Sequence, residues 1–426
     1  MFEWIKKRFV REQAEDLTTE FVRTLIAECR RQGLVVQSFD PSARSFVAAL
    51  QDGSQVTAFI DNTFTEWQAR LPSRREELVA RFVRSLVEAR SHGTLSLESL
   101  ADELMPGIRS RVLVSELMLR DWIGGGPADD SRVTASLPFA ADLVVCAIRD
   151  RPDSMSLLKV DELAAAEMPL DRALRQAMVN FRARMPQPVF EPLGQGLFGC
   201  ANLGDYQSSL LLLAPGEDYA LPPLDGAPVA AVPGRNVFYV AGSNDPAGLV
   251  RLLEISASAA ETPHFCTASL LQWNGERWGG ATLANAALEA RHRDIRQQRL
   301  VADYDRQKQL LDHYHQLHGQ DVFVASLQLY RAKDEPVSFS VTTLASGTHG
   351  TLLPRADRLA LVWQVIDPGT GLAASKPGDV LHVTWPDAMT IVGGLFAPVP
   401  HLYPPRFRAL GFPDRDAWAR LEAMAR

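Results

Sequence analysis

The chain has 426 residues, which is long enough for more than one hydrophobic core, so we expect two or three domains. Hydrophobic residues make up 46% of the sequence and charged residues 22%, proportions typical of a soluble globular protein that exclude a disordered or fibrous one. The formal net charge of -7 disfavours general nucleic-acid binding, because that function needs a basic surface.

The cysteines and the N-terminus predict the cellular compartment of the protein. The four cysteines lie far apart and mostly in apolar runs, which predicts buried, reduced thiols and not a disulfide framework or a metal motif. The N-terminus lacks the apolar stretch of a secretory signal, and no window approaches the roughly 18 consecutive apolar residues that span a bilayer. We therefore expect a cytoplasmic protein. The cysteines are Cys29, Cys146, Cys200 and Cys266.

Residues 1–15 are predicted to form an amphipathic arm, with Phe2, Ile5 and Phe9 on one side and basic residues around them. Aromatic and basic residues together suit an anionic membrane surface. Because the arm is so short, packing against the body of the protein or against a partner is the favoured alternative.

Residues 16–126 read as a helix-strand-strand-strand-helix unit followed by further helical residues. Thr18 or Thr19 can cap the first helix, and Ser73 with Glu76 has the spacing of a capping box at the second. Turns are predicted at Asp40-Pro41 and Asp52-Gly53, and a flexible boundary at 124–127. The predicted helices are 19–32, from 73 to about 88, and 95–122 with an interruption at Pro106; the predicted strands are 34–39, 45–50 and 55–60.

Residues 136–280 read as a second α/β unit. Strands are predicted at 141–150, 156–160, 208–213 and 236–242, helices at 169–184 and about 246–256, and a closing hairpin at CTASLLQWN and ERWGGAT.

Residues 281–319 are predicted to form one long charged helix that connects domains or binds a partner, because its apolar positions are sparse. Residues 320–426 are predicted to form a β-rich domain with strands at 322–330, 337–344, 358–366 and 380–385. It ends in a short helix that starts near Asp414 and turns Trp418 and Leu421 inward. The predicted fold class is α+β, with two small mixed units, a long connecting helix and a β-rich C-terminal domain.

Four segments occur in an order that suggests a family: VVQSFDPSARSFVAALQDGSQVTAFIDNTFTEW, ELMPGIRSR, ADLVVCAIRDRPDSMSLLKVDELAAAEMPLDRALRQAMVNFRAR and VPGRNVFYVAGSNDPAGL. On these segments the chain resembles the YtpQ-like family of uncharacterised bacterial proteins over roughly residues 19–280. The resemblance implies a bacterial cytosolic protein and brings no activity, cofactor or site residue with it.

Three histidines form an HxHxxH cluster at the end of the predicted long helix: His313, His315 and His318. Imidazoles bind zinc readily. On a continuous helix, however, residues two apart face away from each other, so at most His315 and His318 could share an ion. Two ligands are too few, and we predict no metal site.

The segment Gly242–Gly248 joins a strand to a helix and could present backbone N–H groups to a phosphate. It lacks the residues of a P-loop, and Asp245 with Pro246 has the pattern of a helix N-cap. We therefore favour the interpretation that this segment ends the strand and caps the helix and does not bind a ligand.

His264 and Cys266 are candidates for a catalytic pair, because a histidine can activate a cysteine thiolate as a nucleophile. They lie two residues apart in a predicted strand, so their side chains would point to the same face. Side chains at that spacing are about 6–7 Å apart, beyond hydrogen-bond reach, so the motif is weak. The SGTHG segment at 346–350 has no glycine two residues before its serine and is not a nucleophile elbow.

Aromatic residues near turns offer another kind of site, a protein interface. Trp273 and Trp278 flank an Asn-Gly turn, and Tyr403-Pro404-Pro405 lies near His401. Packing against the neighbouring domain is the favoured alternative.

The sequence thus predicts no catalytic, cofactor-binding or metal-binding residues and no cofactor. The favoured hypothesis is a non-catalytic cytosolic adaptor that binds a protein partner or itself. It binds no nucleic acid, has no expected membrane contact, and its small-molecule ligand is unknown. The alternatives are an enzyme, such as a hydrolase, whose site gathers His264, Cys266, Asp205 and Arg235, and a protein held at a membrane by residues 1–15.

Overall fold

The structure is a computed structural model that describes residues 2–40, 44–50, 53, 55–90, 97–129, 131–152, 154–259, 264–331, 338–348, 350–366, 373–374 and 379–425. Residues 2–16, 40, 57, 61–62, 89–90, 97–99, 365–366 and 373–374 are described by their backbone alone. The side chains of the predicted arm and most of the two predicted turns after Phe39 and Leu50 therefore lie outside the description.

The helices are α1 Phe2–Arg31, α2 Asp61–Ala69, α3 Arg75–Arg90, α4 Leu97–Glu103, α5 Arg111–Ile123, α6 Val160–Ala165, α7 Leu170–Arg184, α8 Pro246–Ser258, α9 Ala286–Leu317, α10 Trp385–Val392 and α11 Arg415–Met424. The strands are β1 Val35–Asp40, β2 Ser45–Ala49, β3 Gln55–Phe59, β4 Leu104–Ser110, β5 Ser136–Pro138, β6 Leu143–Asp150, β7 Met155–Leu157, β8 Phe190–Gly194, β9 Leu197–Cys200, β10 Pro228–Ala231, β11 Tyr239–Gly242, β12 Leu271–Trp273, β13 Trp278–Gly280, β14 Gln328–Tyr330, β15 Phe339–Ala345, β16 Leu352–Pro354, β17 Arg358–Val362, β18 Val365–Ile366, β19 Ala373–Ala374, β20 Val380–Thr384, β21 Phe396–Pro398 and β22 Arg406–Ala409.

The fold is α+β, as the sequence predicts. The chain divides into two compact units. Unit 1 comprises Met1–Gly107, Val145–Pro186 and Glu261–Phe265, and unit 2 comprises Ile108–Val144, Gln187–Ala260 and Cys266–Arg426. The predicted domains are contiguous ranges, whereas each unit combines separate stretches, because β4 and β6 each begin in one unit and end in the other.

Unit 1 is built on the antiparallel sheet β1-β2-β3, in which β2 is central. Alternate residues of β2 point to one face, and Phe46 and Ala48 are buried there among side chains of α1, α2 and α3. An aromatic cluster fills this core: the Phe21 ring centroid lies 5.2 Å from that of Phe64 and 5.5 Å from that of Trp67. The three strands predicted here are confirmed.

Several predicted details of unit 1 are wrong. Thr18 and Thr19 lie inside α1, because the helix starts at Phe2, so neither caps it. Ser73 lies within a short 3₁₀ helix, Pro72–Arg74, that precedes α3. The predicted helix across Pro106 is in fact α4 followed by the buried strand β4, since proline is tolerated in a strand but not in a helix interior.

Most of the other elements predicted near this stretch of chain are confirmed. Strand β6 and helix α7 lie where the sequence places them, and β7 is a shorter version of the strand predicted after β6. The glycines at 124–126 lie inside unit 2, where Gly124 caps the C-terminus of α5.

Unit 2 contains several sheets. A six-stranded antiparallel sheet has the order β13-β12-β10-β11-β9-β8, and a four-stranded sheet has the order β14-β15-β17-β20, with β15 and β17 parallel. The strands β16-β22-β21 form a third sheet, and β18 pairs with β19. Apart from these sheets of unit 2, a further sheet has the order β4-β6-β5, with β7 on β6. The predicted hairpin of β12 and β13 and the β-rich nature of the C-terminal segment are confirmed.

Helix α9 is the long helix that the sequence predicts, and it is packed within unit 2. Leu311 lies in a hydrophobic cluster with Val324 and Leu352, and Tyr304 packs against Leu327. Its apolar positions are sparse because much of its buried face is polar: His292, Asp303, Gln307 and His315 are all buried.

Two further predictions for unit 2 have opposite outcomes. The apolar run 208–213 is not a strand, because Gly204–Leu212 is a 3₁₀ helix whose serines and leucines are buried together. The C-terminal helix is confirmed: Asp414 caps α11, Leu421 is fully buried, and the Trp418 ring packs 5.6 Å from that of Trp363.

Candidate functional site

The candidate site lies in unit 2 and starts at the N-terminus of α5. Ser110 caps this helix, since its Oγ accepts a hydrogen bond from the Val112 N–H. The next residue, Arg111, donates its backbone N–H to the carbonyl of Asp142 at 2.8 Å. This backbone contact joins the first turn of α5 to the residue that precedes β6.

Asp142 is held by a short polar loop. The Thr267 hydroxyl donates to Asp142 Oδ1, and the Ser269 N–H donates to the Thr267 hydroxyl oxygen at 2.9 Å. Asp142 keeps part of its surface accessible, yet desolvation by the surrounding protein is the largest influence on its carboxyl group and raises its pKa.

Helix α9 supplies the second arginine. The Leu270 N–H donates to His292 Nε2 at 2.9 Å, which ties the helix to the loop that holds Asp142. Burial lowers the pKa of His292 to about 4, so the ring is neutral and accepts this bond at physiological pH. Arg296 follows one helical turn later and is close enough to Asp142 to lower the pKa of that carboxyl group.

The aromatic member of the site is Tyr403. Its backbone N–H donates to the Ser115 hydroxyl, one turn after Arg111, at 3.0 Å. The guanidinium carbon of Arg111 lies 4.5 Å from the centroid of the Tyr403 ring, a cation–π contact. Burial raises the pKa of Tyr403, and the negative charge of Asp142 raises it further.

A buried network of hydrogen bonds holds the loop that carries Tyr403. Arg406 is fully buried, and its guanidinium donates to Gln307 Oε1 at 2.6 Å and to the carbonyls of Ala325 and Leu352 at 2.8 and 3.0 Å. The Tyr304 hydroxyl donates to the Pro405 carbonyl at 2.7 Å. The desolvation lowers the pKa of Arg406 to about 10, which leaves it charged near neutral pH.

Two more acidic groups lie along α9 and α5. Asp303 is 4% exposed, and burial raises its pKa to about 6 although Arg299 lies 2.7 Å away. Glu116 is buried and pairs with Arg306 at 2.9 Å. Both carboxylates therefore have a cation beside them, and both are close enough to one another to interact electrostatically.

Arg111 and Arg296 differ from these paired cations. Apart from the stacking on Tyr403, neither guanidinium makes a side-chain hydrogen bond or an ion pair within the part of the chain that the structure describes. We call the group of Arg111, Asp142, Thr267, Arg296 and Tyr403 the Arg111–Arg296 site. Its two unpaired cations favour an anion, and its carboxylate can accept a hydrogen bond.

Cys266 lies next to Thr267 in sequence and does not provide a nucleophile. It is fully buried, and burial raises the pKa of its thiol to about 11, so the reactive thiolate is scarce near pH 7. Its sulfur lies 3.8 Å from the carbonyl oxygen of Ile108. None of the four cysteines, all of which the structure describes, forms a disulfide, and all are buried, as the sequence predicts.

The partner residues that we considered for Cys266 are elsewhere. His264 belongs to unit 1, where its Nε2 lies 2.7 Å from Glu66 Oε1, and its φ of 58° is not that of a strand. The predicted strand that would place His264 and Cys266 on one face is therefore wrong. Asp205 and Arg235 form an ion pair with each other at 3.0 Å in unit 2.

The histidine cluster lies on the last turn of α9 and just after it. His313 and His318 are exposed, His315 is buried, and burial lowers the pKa of His315. The Nδ1 of His318 lies 2.8 Å from the Tyr314 carbonyl, so the ring donates to its own helix. Within the described residues, no three His, Cys, Asp or Glu side chains are grouped so that they could hold a metal ion.

The Gly242–Gly248 segment is a capped helix start, as predicted. Asp245 Oδ1 accepts from the N–H groups of Ala247 and Gly248 at 3.0 and 3.1 Å. Gly196 lies in the turn between β8 and β9, and a Cβ atom added there would lie 1.4 Å from Asp245 Oδ2. The capping side chain therefore packs closely against the backbone of this turn. In the SGTHG segment, Ser346 bonds both ways with the backbone of Gln364, and position 349 lies outside the described residues.

The aromatic residues near turns are only partly exposed. Trp278 is 3% exposed and packs 6.1 Å from the Phe238 ring, whereas Trp273 is half-buried beside a groove of about 620 Å³. Near the other turn, His401 is exposed and Pro404 is buried. Tyr403 is thus the one of these candidates that joins the site.

Sequence analysis did not single out Arg111, Asp142, Thr267 or Arg296. Each has an ordinary local pattern, and they come together through three loops and two helices that are far apart in the chain. The Ser-Arg pair before an apolar helix could have identified the start of α5, but nothing in it indicates an unpaired guanidinium.

Comparison with protein-family models, with curated proteins and with solved structures gave no match at the threshold applied. Among the helices of the described residues, none combines the length and the apolar character needed to cross a membrane.

Proposed function

We propose that unit 2 binds a small anionic ligand at the Arg111–Arg296 site. The observation that supports this proposal is the pair of guanidinium groups that have no acceptor among the described residues. An arginine presents five N–H donors in a planar fork that matches a carboxylate or a phosphate. Two such forks form a favourable environment for negative charge.

The site is ordered before a ligand arrives. Stacking on Tyr403 holds the Arg111 guanidinium, so less side-chain entropy is lost when a ligand binds. Each charged hydrogen bond contributes about 1.5–3 kcal/mol, so loss of one arginine should weaken binding about 10-fold to 100-fold.

Thermal unfolding and calorimetric titration of the full chain test this proposal, with inorganic phosphate, acetate, glutarate and adenosine monophosphate as probes at low salt. We expect at least one probe to stabilise the protein. Arg111→Met and Arg296→Met keep the apolar stem of each side chain and remove its donors, so each should weaken binding of that probe.

Arg291→Met is the matched control, since Arg291 is an exposed residue of α9 on another face of the helix. It should leave the binding constant unchanged. If none of the four probes stabilises the protein, or if Arg291→Met weakens binding as much as the other two substitutions, the proposal is wrong.

We infer a second candidate role, association with another protein through unit 1, which corresponds to the adaptor hypothesis. The observation that favours it is the edge strand β1, which pairs with β2 alone among the described strands and carries Val35 at 66% exposure. An exposed edge with an apolar side chain is a template for pairing with another chain.

Light scattering and crosslinked pull-down from the native host test this role. Val35→Lys should abolish a complex that forms through the β1 edge, whereas Val179→Lys, at a site 60% exposed on α7, should not. A monomer from which crosslinking recovers no partner would contradict the role.

A further inference from the structure

The groove of about 620 Å³ beside Trp273 crosses three neighbouring strands of the six-stranded sheet, β10, β12 and β13. Because adjacent strands lie about 4.8 Å apart, it extends about 10 Å from the first strand to the third. The residues that line it belong to unit 2, and none of them is part of the Arg111–Arg296 site. We call it the Trp273 groove; Pro228, Gln272, Trp273, Asn274, Gly279 and Gly280 are among its lining residues.

Trp273 gives the groove an aromatic wall that is anchored in the core. Its ring centroid lies 5.7 Å from that of Trp278, and the Trp278 ring lies 6.1 Å from that of Phe238. Trp278 and Phe238 are buried, whereas Trp273 keeps part of its surface exposed. A large ring that packing already holds in place loses little conformational entropy when a ligand covers it.

Two amide side chains supply the polar part of the lining. Asn274 Oδ1 accepts the N–H groups of Glu276 and Arg277 at 3.0 and 2.9 Å, which fixes the amide and leaves its Nδ2 without an acceptor among the described residues. The Gln272 side chain makes no hydrogen bond to any residue that the structure describes. The groove therefore offers both donors and an acceptor to a ligand.

Two glycines keep the groove open on the outermost strand, β13. Gly279 is the cross-strand partner of Gln272, so the two residues share a face of the sheet. A Cβ atom added at Gly279 or at Gly280 would meet no atom within 4 Å, and neither glycine has a positive φ. Glycine weakens a strand and is found where a ligand approaches the backbone closely. Since the backbone conformation does not require glycine here, open space is what this pair provides.

The lining favours a neutral ligand with both apolar and hydroxyl surfaces. None of the described residues that line the groove carries a charge, so neither an anion nor a cation would find a counterion there. The C–H groups of a sugar ring carry partial positive charge and can pack on the negative face of an aromatic ring. Sugar hydroxyl groups both donate and accept, as the two amides require. A peptide strand would instead add to the edge of β13 and leave the Pro228 side of the groove unused.

We propose that the Trp273 groove binds a neutral carbohydrate, a short oligosaccharide that stacks on Trp273 and hydrogen bonds to Gln272 and Asn274. The volume of the groove lies within the range of about 300–1,000 Å³ that is usual for small-molecule sites. This binding is a further activity of unit 2 and does not rest on the proposed anion site.

Isothermal titration of the full chain tests the inference with maltohexaose, cellohexaose and the hexamer of N-acetylglucosamine, all of which are neutral. We expect at least one of them to bind. Trp273→Ala should weaken that binding at least tenfold, and Trp273→Phe, which keeps a ring, should weaken it less. Gln272→Leu keeps the size of the side chain and removes its amide, so it should also weaken binding.

Gly279→Val tests the open space without altering Trp273 or the amides. Valine suits a strand, so the variant should fold, and its side chain should fill the groove and weaken binding at least tenfold. Phe323→Ala is the matched control, because Phe323 is an aromatic residue that is 62% exposed and does not line the groove. It should leave the binding constant unchanged, and circular dichroism of each variant reports whether it is folded.

Three results would overturn the inference. The first is that none of the three oligosaccharides binds. The second is that binding survives both Trp273→Ala and Gly279→Val, or that Phe323→Ala weakens it as much as they do. The third is that adenosine, which is neutral and planar, binds in a way that depends on Trp273 while no oligosaccharide does, because the groove would then be a site for a base. None of these results changes the expected binding of anions at the Arg111–Arg296 site.

Discussion

Two buried groups on α9 should give the stability of unit 2 opposite dependences on pH. His292 is 1% exposed, and burial lowers its pKa from 6.5 to about 4. Asp303 is 4% exposed, and burial raises its pKa from 3.8 to about 6. Both shifts have the same cause, because burial disfavours whichever form of a group is charged.

The signs follow from proton linkage. The unfolded chain binds a proton at His292 more readily than the folded protein does, so stability is lost as pH falls from 6.5 to 4. The folded protein holds a proton on Asp303 more tightly than the unfolded chain, so stability is lost as pH rises from 3.8 to about 6. At about 1.36 kcal/mol for each pKa unit, each full effect is about 3 kcal/mol. In the wild-type protein the two therefore nearly cancel.

Single substitutions should reveal each contribution. Asp303→Asn removes the acid, and relative to the wild type its free energy of unfolding should rise by about 2 kcal/mol between pH 4 and pH 7. His292→Gln removes the imidazole but keeps an oxygen that can accept the Leu270 N–H. Relative to the wild type, its free energy of unfolding should fall by about 2 kcal/mol over the same range.

Urea titrations read by hydrogen exchange of α9 peptides would measure these slopes, because that readout follows unit 2 by itself. Asp305→Asn is the control at an exposed position of the same helix and should run parallel to the wild type. The reasoning fails if the Asp303→Asn and His292→Gln profiles deviate in the same direction, or if neither deviates by more than about 0.5 kcal/mol, the size of an ordinary surface effect.

Three further substitutions follow from the packing. Arg406→Met should destabilise unit 2 by at least about 3 kcal/mol, because three backbone carbonyls and the Gln307 amide lose their donor. A loss below about 1 kcal/mol in urea titration would show that water replaces the lost donor. Trp67→Ala should cost about 3–5 kcal/mol, read by hydrogen exchange of unit 1 peptides, since Trp67 is 1% exposed in the aromatic core; unchanged exchange would contradict that packing. Asp245→Ala should cost about 1 kcal/mol of α8 stability in calorimetry, and Asp245→Ser, which keeps a cap, should restore most of it; equal losses in both would exclude capping as the cause.

The sequence predicts elements that are decided locally and misses those decided by packing. The strands of the first sheet and the Asp245 cap were predictable, because alternation and capping chemistry act within a few residues. The buried strand β4 was missed, since its residues are mostly apolar without alternation and Pro106 suggested a broken helix. The apolar run from 208 to 213 also lacks alternation and was predicted as a strand, although most of it lies in the 3₁₀ helix Gly204–Leu212.

The candidate site could not be predicted from local patterns. Arg111 looks like an ordinary helix residue, Asp142 like a residue before a strand, and Arg296 like one of many charges on α9. What distinguishes Arg296 from the other exposed arginines of α9, such as Arg291, is that it lies close enough to Asp142 and Tyr403 to lower their pKa values. That distinction depends on where distant segments meet, which no spacing along the chain records.

The hydrogen bond between Ser115 and Tyr403 joins residues that are 288 positions apart in the chain. During synthesis on the ribosome, the sheet β1-β2-β3 and its helices leave the exit tunnel long before Tyr403 is translated. The core of unit 1 can therefore fold before unit 2 has been completely translated. Closing so long a loop also slows folding. We therefore expect a nascent chain to form its aromatic core early and to assemble the residues of the Arg111–Arg296 site among the last steps of folding.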